Sequence, residues 1–212
     1  MSVDAPTSVS ADMGARPAGL VSPHREAGMP TPMVGMLLFI ASEVMFFGGL
    51  FAAYFNSRAQ FAGETWGPES VGAHPLEIMP IALPITIILL TSSLTMQFGV
   101  WAIRRGDQRA MRFWTIVTLV LGVGFLIGQL YDYSVLGFGI SDGIFGTVFY
   151  TLTGFHGAHV FGGVVGLTIL TARATQGQFS ARNHVAVEAV SIYWHFVDVV
   201  WVALFTTLYF LR

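Results

Sequence analysis

The chain has 212 residues, a formal net charge of −2 and a mean hydropathy of +0.66, with 54% of its residues hydrophobic. That balance places most of the chain in lipid and leaves no basic surface on which to bind nucleic acid. It contains no cysteine, which removes disulfides, thiolate metal ligands, iron–sulfur clusters and cysteine nucleophiles together.

Residues 1–32 are rich in Ala, Pro, Ser and Gly and lack the apolar core of a secretory signal, so an uncleaved, poorly ordered tail is expected there. Five apolar runs follow, at 33–54, 80–103, 113–131, 149–171 and 187–211. Each holds about 20 residues or more, which at 1.5 Å per residue crosses a hydrocarbon layer of roughly 30 Å. The expected fold is all-α, a bundle of five transmembrane helices forming one membrane domain over 33–212. Pro80 and Pro84 fall in the first turns of the second helix, where a missing N–H is tolerated. Gly124 with Gly128, and Gly162 with Gly166, have the small-xxx-small spacing that lets membrane helices approach closely.

Charge orients these helices. Every basic residue is Arg, and Arg16, Arg25, Arg104, Arg105, Arg109, Arg112, Arg173 and Arg182 fall on one side if the helices alternate. Only Arg58 and Arg212 fall on the other, beside Glu64, Glu69, Glu77 and Asp142. The positive-inside rule then makes the N-terminus cytoplasmic and the C-terminus external. Trp101 and Trp114 suit an inner aromatic belt, and Tyr131, Tyr133 and Tyr209 an outer one.

Ionisable residues inside the runs carry the question of function, because charge in lipid is costly unless paired or used. Helical rise puts Glu43, His159, His195 and Asp198 within one layer near the midplane, with His156 nearer the outer half. Glu43 is expected to hydrogen-bond across helices, with His159 its best partner by depth. It serves either as a proton-active carboxylate or as a polar clasp between helices. His156 with His159, and His195 with Asp198, stand three apart on a helix. The histidines have a spacing that metal or haem ligation could use, but no third ligand is evident, so no metal site is assigned. His195 and Asp198 are expected to pair locally. Asp132 and Glu188 lie near helix ends, where water or headgroups would solvate them. Arg173 either snorkels to a lipid phosphate or simply marks the inner side.

Five segments stand out in order: LLFIASEVMFFGGLFAAYF (37–55), QLYDY (129–133), SDGIFGTVFY (141–150), TGFHGAHV (153–160) and YWHFVDVVWVALFTTLYF (193–210). Together they resemble subunit III of the haem–copper cytochrome c oxidases. The likeness covers 33–210, with the motifs in order, and the length is similar to the short, five-helix bacterial form. The resemblance implies a multi-pass protein of the bacterial plasma membrane that contacts oxidase subunit I, with subunit II in the same complex. Haem and copper are expected in those partner subunits, with no catalytic residue, metal or redox cofactor in this chain. It further implies support of proton uptake and of sustained turnover by a proton-pumping oxidase of the aerobic respiratory chain, which reduces oxygen to water. Bound phospholipid is expected as well. The family's intramembrane Glu corresponds to Glu43, its histidine pair to His156 and His159, and its last-helix motif to His195 and Asp198. Asp132 and Glu188 fall within the family's motifs, although many members have Glu where Asp132 stands. The family's basic residue associated with lipid headgroups corresponds to Arg173. The alternatives are subunit III of a quinol oxidase, a stand-alone haem protein using His159 and His195, and a transporter with Glu43 as its proton site.

The orientation has a direct test in a chain without native cysteine. A cysteine placed at Asp107 should resist an impermeant thiol reagent in intact cells and label once the membrane is opened. Labelling from outside would invert the topology.

Overall fold

The computed structural model describes residues 28–61, 66–72 and 81–211. Most of the expected tail, together with Glu64, Glu77, Pro80 and Arg212, lies outside the described residues. Five helices span the chain: α1 Thr31–Gln60, α2 Leu83–Arg104, α3 Gln108–Val135, α4 Gly143–Thr175 and α5 Val185–Phe205. The last continues as a π-helical turn over Thr206–Phe210, and a short 3-10 turn at Pro68–Val71 precedes α2. Among the described residues there is no β-strand. All five helices are long and apolar enough to cross a membrane.

Three helices run past the apolar stretches that announce them. Helix α3 begins at Gln108 rather than 113, because Asp107 caps it, its Oδ1 accepting from the backbone N–H groups of Arg109 and Ala110 at 3.1 and 2.9 Å. The preceding turn passes through Gly106 at φ 81°, a left-handed conformation open to glycine. Helix α1 continues through Asn56, Ser57 and Arg58, and α4 starts six residues before 149. Helical hydrogen bonding does not stop where hydrophobicity does, so an apolar run reports the lipid-facing length and not the whole helix.

Helices α2, α3, α4 and α5 close into a four-helix bundle, each packed on its neighbours in that cyclic order, while α1 lies outside against α4 and α5. Lipid tails are as apolar as leucine, so burial alone does not hold such a bundle together. Close packing and polar contacts do. The indole of Trp194 on α5 is fully buried and wedged between α3 and α4, where glycine leaves room for it. A Cβ added at Gly122 on α3 would lie 2.6 Å from Trp194 Cη2, and one at Gly163 on α4 would lie 2.7 Å from Cζ3. Its Nε1–H donates to Ser92 Oγ on α2 at 2.9 Å, so one side chain engages all four helices of the bundle.

The close approaches expected at Gly124 with Gly128 and at Gly162 with Gly166 are largely displaced by this wedge. A Cβ at Gly124 or Gly166 would meet nothing within 4 Å, and one at Gly162 would make an ordinary contact with Tyr193. Only Gly128 is tight, against Ile85 of α2. The outer belt also needs correction. Tyr131 faces outward at 61% exposure, but Tyr133 donates to Thr153 Oγ1 on α4 at 2.8 Å and Tyr209 is buried. The amphipathic ring that suits a membrane surface equally suits an interhelical hydrogen bond, and residue type does not distinguish the two.

The wedge predicts a clear contrast among glycines. Gly122→Ala and Gly163→Ala should each destabilise the bundle by about 1–3 kcal/mol, the usual cost of overpacking. Gly124→Ala and Gly166→Ala should leave it unchanged or slightly firmer. Thermal unfolding of the four variants in detergent checks this, and equal melting temperatures would remove the wedge from the account.

Candidate functional site

Polar side chains of the apolar helices meet across helix interfaces, and one such contact ties α1 to the bundle. On α1, Glu43 Oε2 lies 2.9 Å from His159 Nε2 of α4. The rings of Phe46 and Phe47 flank that imidazole, with centroids 6.1 and 4.9 Å away. Both partners are mostly covered, at 18% and 16% side-chain exposure.

Donor and acceptor logic limits what this contact is. His159 Nδ1 lies 2.7 Å from the carbonyl oxygen of Phe155, which can only accept, so Nδ1 carries a hydrogen. The proton between Nε2 and Oε2 then belongs either to the carboxyl, with a neutral imidazole, or to an imidazolium facing a carboxylate. In both forms the pair holds one proton and is neutral overall, which is what hydrocarbon surroundings favour. Tyr193 of α5 donates to the carbonyl oxygen of His159 at 3.0 Å, joining α1, α4 and α5 at one level. Adjacent to it, Trp194 carries these contacts on to Ser92 of α2.

His195 and Asp198 do not pair with each other, contrary to the expectation from their spacing. His195 reaches across to α2, with Nδ1 at 2.5 Å from Ser93 Oγ and Nε2 at 3.3 Å from Gln97 Oε1. The 3.3 Å contact uses the Nε2–H, so a neutral His195 accepts the Ser93 hydroxyl hydrogen at Nδ1. Asp198 is 4% exposed, and Ser93 faces its carboxyl without completing a hydrogen bond of good geometry. Hydrogen-bonding groups on the neighbouring helix win over a same-helix partner three residues away.

His156 and His159 diverge as well. His156 is fully enclosed against Phe125 and Trp201, with ring centroids at 5.9 and 5.0 Å, and neither ring nitrogen finds a hydrogen-bond partner among the described residues. Trp201 donates instead to Thr86 Oγ1 on α2 at 2.9 Å. His159 faces α1 and His195 faces α2, so these histidines do not oppose one another as haem ligands would. Their nitrogens are already engaged in hydrogen bonds, and the donor set fits neither haem nor a metal ion. Among the described residues, no three His, Cys, Asp or Glu side chains converge.

The helix-end residues divide. Asp132 is 6% exposed rather than solvated, because α3 continues to Val135 and Asp132 lies beside Tyr133 and Tyr150. Glu188 lies at the start of α5 and takes an ion pair from Arg104 of α2 at 2.7 Å, with His184 at 3.3 Å. Exposed pairs of this kind contribute about 0–1 kcal/mol, so it orients the helix ends more than it holds them. Arg173 is exposed, its Nε–H donating to Gln178 Oε1 at 2.8 Å and its guanidinium 5.2 Å from the Phe179 ring centre.

Sequence reasoning missed Ser92, Ser93, Gln97, Tyr193 and Trp194. A signal for the first three was present. They are polar residues within the second apolar run, and the same helical-rise arithmetic that placed Glu43 applies to them.

The fold and these contacts define a multi-pass membrane protein whose intramembrane polar groups mainly join helices. A family model described as cytochrome c oxidase subunit III matches residues 13–212. "Cytochrome c oxidase subunit 3" of Corynebacterium diphtheriae is 44% identical over 199 residues, covering 91% of this chain and 96% of that protein. "Probable cytochrome c oxidase subunit 3" of Mycobacterium leprae is 46% identical over 182 residues, covering 84% and 87%. "Cytochrome c oxidase subunit 3" of Thermostichus vulcanus is 42% identical over 180 residues, again covering 84% and 87%. The chain belongs to the cytochrome c oxidase subunit III family.

Proposed function

We propose that this chain is the accessory third subunit of a proton-pumping cytochrome c oxidase in a bacterial plasma membrane. It contacts subunit I and shares a complex with subunit II, which together hold the haem and copper. It holds no redox cofactor and supplies no catalytic residue. Its N-terminus is cytoplasmic and its C-terminus external, as the distribution of Arg favours.

The observation that carries this reading is the Glu43–His159 pair. One proton shared between a carboxyl and an imidazole can shift between them without leaving a net charge in lipid. Such a pair suits a supporting role in proton supply, and it also clasps α1 to α4. The two roles separate experimentally. Glu43→Gln keeps a hydrogen-bonding side chain but removes the exchangeable carboxyl proton, so the complex should assemble with normal haem content. Proton uptake during turnover should slow. Kinetics indistinguishable from the parent would leave Glu43 a clasp alone.

Removing the whole chain tests the accessory role. The catalytic subunits should keep their haem, copper and initial oxygen-reducing rate, then lose activity faster during sustained turnover and take up protons more slowly at neutral to alkaline pH. Loss of metal would make the chain a direct support of the active site, and unchanged decay would reduce it to an assembly role. We assign Arg173 to a lipid phosphate, its exposed guanidinium presenting donors at the membrane surface. Arg173→Ala should lower the anionic phospholipid retained by the purified complex, as measured by mass spectrometry.

A further inference from the structure

The turn that joins α4 to α5, residues 176–184, closes on itself at the Arg-rich end of the bundle. Ser180 and Asn183 exchange backbone hydrogen bonds at 3.2 and 3.0 Å. Phe179 is buried, with the Arg173 guanidinium over its ring. His184 ends this turn and leads into α5, its carbonyl oxygen accepting from the N–H groups of Val187 and Glu188 at 2.9 and 3.2 Å. Its side chain folds back the other way, with Nδ1 3.3 Å from the carbonyl oxygen of Ser180. One residue thus ties the turn to the helix that follows it.

Both ring nitrogens of His184 face acceptors. A carbonyl oxygen can only accept, so Nδ1 carries a hydrogen. Nε2 lies 3.3 Å from Glu188 Oε1, the same oxygen that takes the ion pair from Arg104 of α2 at 2.7 Å. A neutral imidazole with its hydrogen on Nδ1 turns a lone pair toward that carboxylate oxygen, and the two repel. An imidazolium turns an N–H toward it, and the two attract. Protonation therefore reverses the sign of this contact while both side chains stay where they are.

The charges around His184 pull in opposite directions. Glu188 attracts a proton to Nε2, whereas Arg104 and the positive end of the α5 dipole repel it. Arg105 and Arg182 are exposed, and their guanidinium groups engage nothing among the described residues. Arg173 of α4 is occupied with Gln178. The side chains of His184 and Glu188 are 20% and 22% exposed, so the pair exchanges protons with water.

We propose that His184 is a proton-operated latch: its imidazolium holds the 176–184 turn against the ends of α2 and α5, and loss of the Nε2 proton releases the turn. The latch is closed at low pH and opens as pH rises through about 5 to 8, the range in which imidazoles ordinarily titrate. On the orientation proposed above it faces the cytoplasm, but the latch does not depend on that orientation.

Hydrogen exchange tests this on the full chain as purified from its membrane, with whatever subunits it retains. Exchange is read by mass spectrometry at about pH 6 and about pH 8 and corrected for the intrinsic pH dependence of amide exchange. In the 176–184 turn, the amides of Ser180 and Asn183 should exchange about fivefold faster at the higher pH, the scale of one partly exposed ion pair. The turn at 136–142 contains no histidine and should exchange alike at both. His184→Gln keeps an N–H donor but has no proton to lose, and Glu188→Gln removes the carboxylate; each should abolish the difference. Equal protection of the 176–184 turn at both pH values in the unaltered chain would overturn the proposal. So would a pH response that survives in His184→Gln. The comparison of the two turns in the unaltered chain decides the matter even if a variant folds poorly.

Discussion

Everything else in this protein depends on the seating of one indole ring. In water, a four-helix bundle gathers because its apolar faces leave solvent; in a bilayer that force is absent between helices. The bundle therefore needs contacts that lipid cannot match. Trp194 supplies two kinds at once: a large flat surface packed where Gly122 and Gly163 leave no side chain, and a hydrogen bond to Ser92. Because it touches α2, α3 and α4 from α5, it sets the relative heights of four helices. Those heights decide which polar groups meet.

The polar contacts follow from that alignment. With α4 and α5 fixed, Tyr193 reaches the His159 carbonyl, and His159 presents Nε2 to the face on which α1 packs. Helix α1 itself buries little of its surface and is the outlying helix of the five. Its attachment therefore draws on a few specific contacts, among which Glu43–His159 and the surrounding phenylalanines are prominent. A carboxyl at this position is accommodated by the hydrogen bond it makes with His159.

Polar groups on α5 make a contrast with one another. His195 is satisfied from α2 on both ring nitrogens, and Trp201 finds Thr86. Among the described residues, Asp198, one turn from His195, completes no hydrogen bond of good geometry, although Ser93 faces its carboxyl. The seam between α2 and α5 thus satisfies the half-buried His195 and the buried Trp201, while the carboxyl of the buried Asp198 completes no hydrogen bond among the described residues.

By itself, the sequence determined the number of helices long and apolar enough to span a membrane, because that follows from hydropathy and the fixed rise of a helix. It also carried the motifs that mark the family. From depth alone it paired Glu43 with His159 correctly, since groups on different helices can meet only at a shared level. It mispaired His195 with Asp198, because spacing along one helix cannot reveal what the neighbouring helix presents. Of the four glycines it singled out, only Gly128 meets a close neighbour, Ile85 of α2, and it passed over Gly122 and Gly163, since close approach depends on the side chain that arrives opposite, at those two Trp194. It placed Asp132 in solvent, although the tertiary fold encloses it beside two tyrosines. Depth is a property of one helix and is written along the chain; azimuth, meaning which face looks at which neighbour, exists only once the helices have packed.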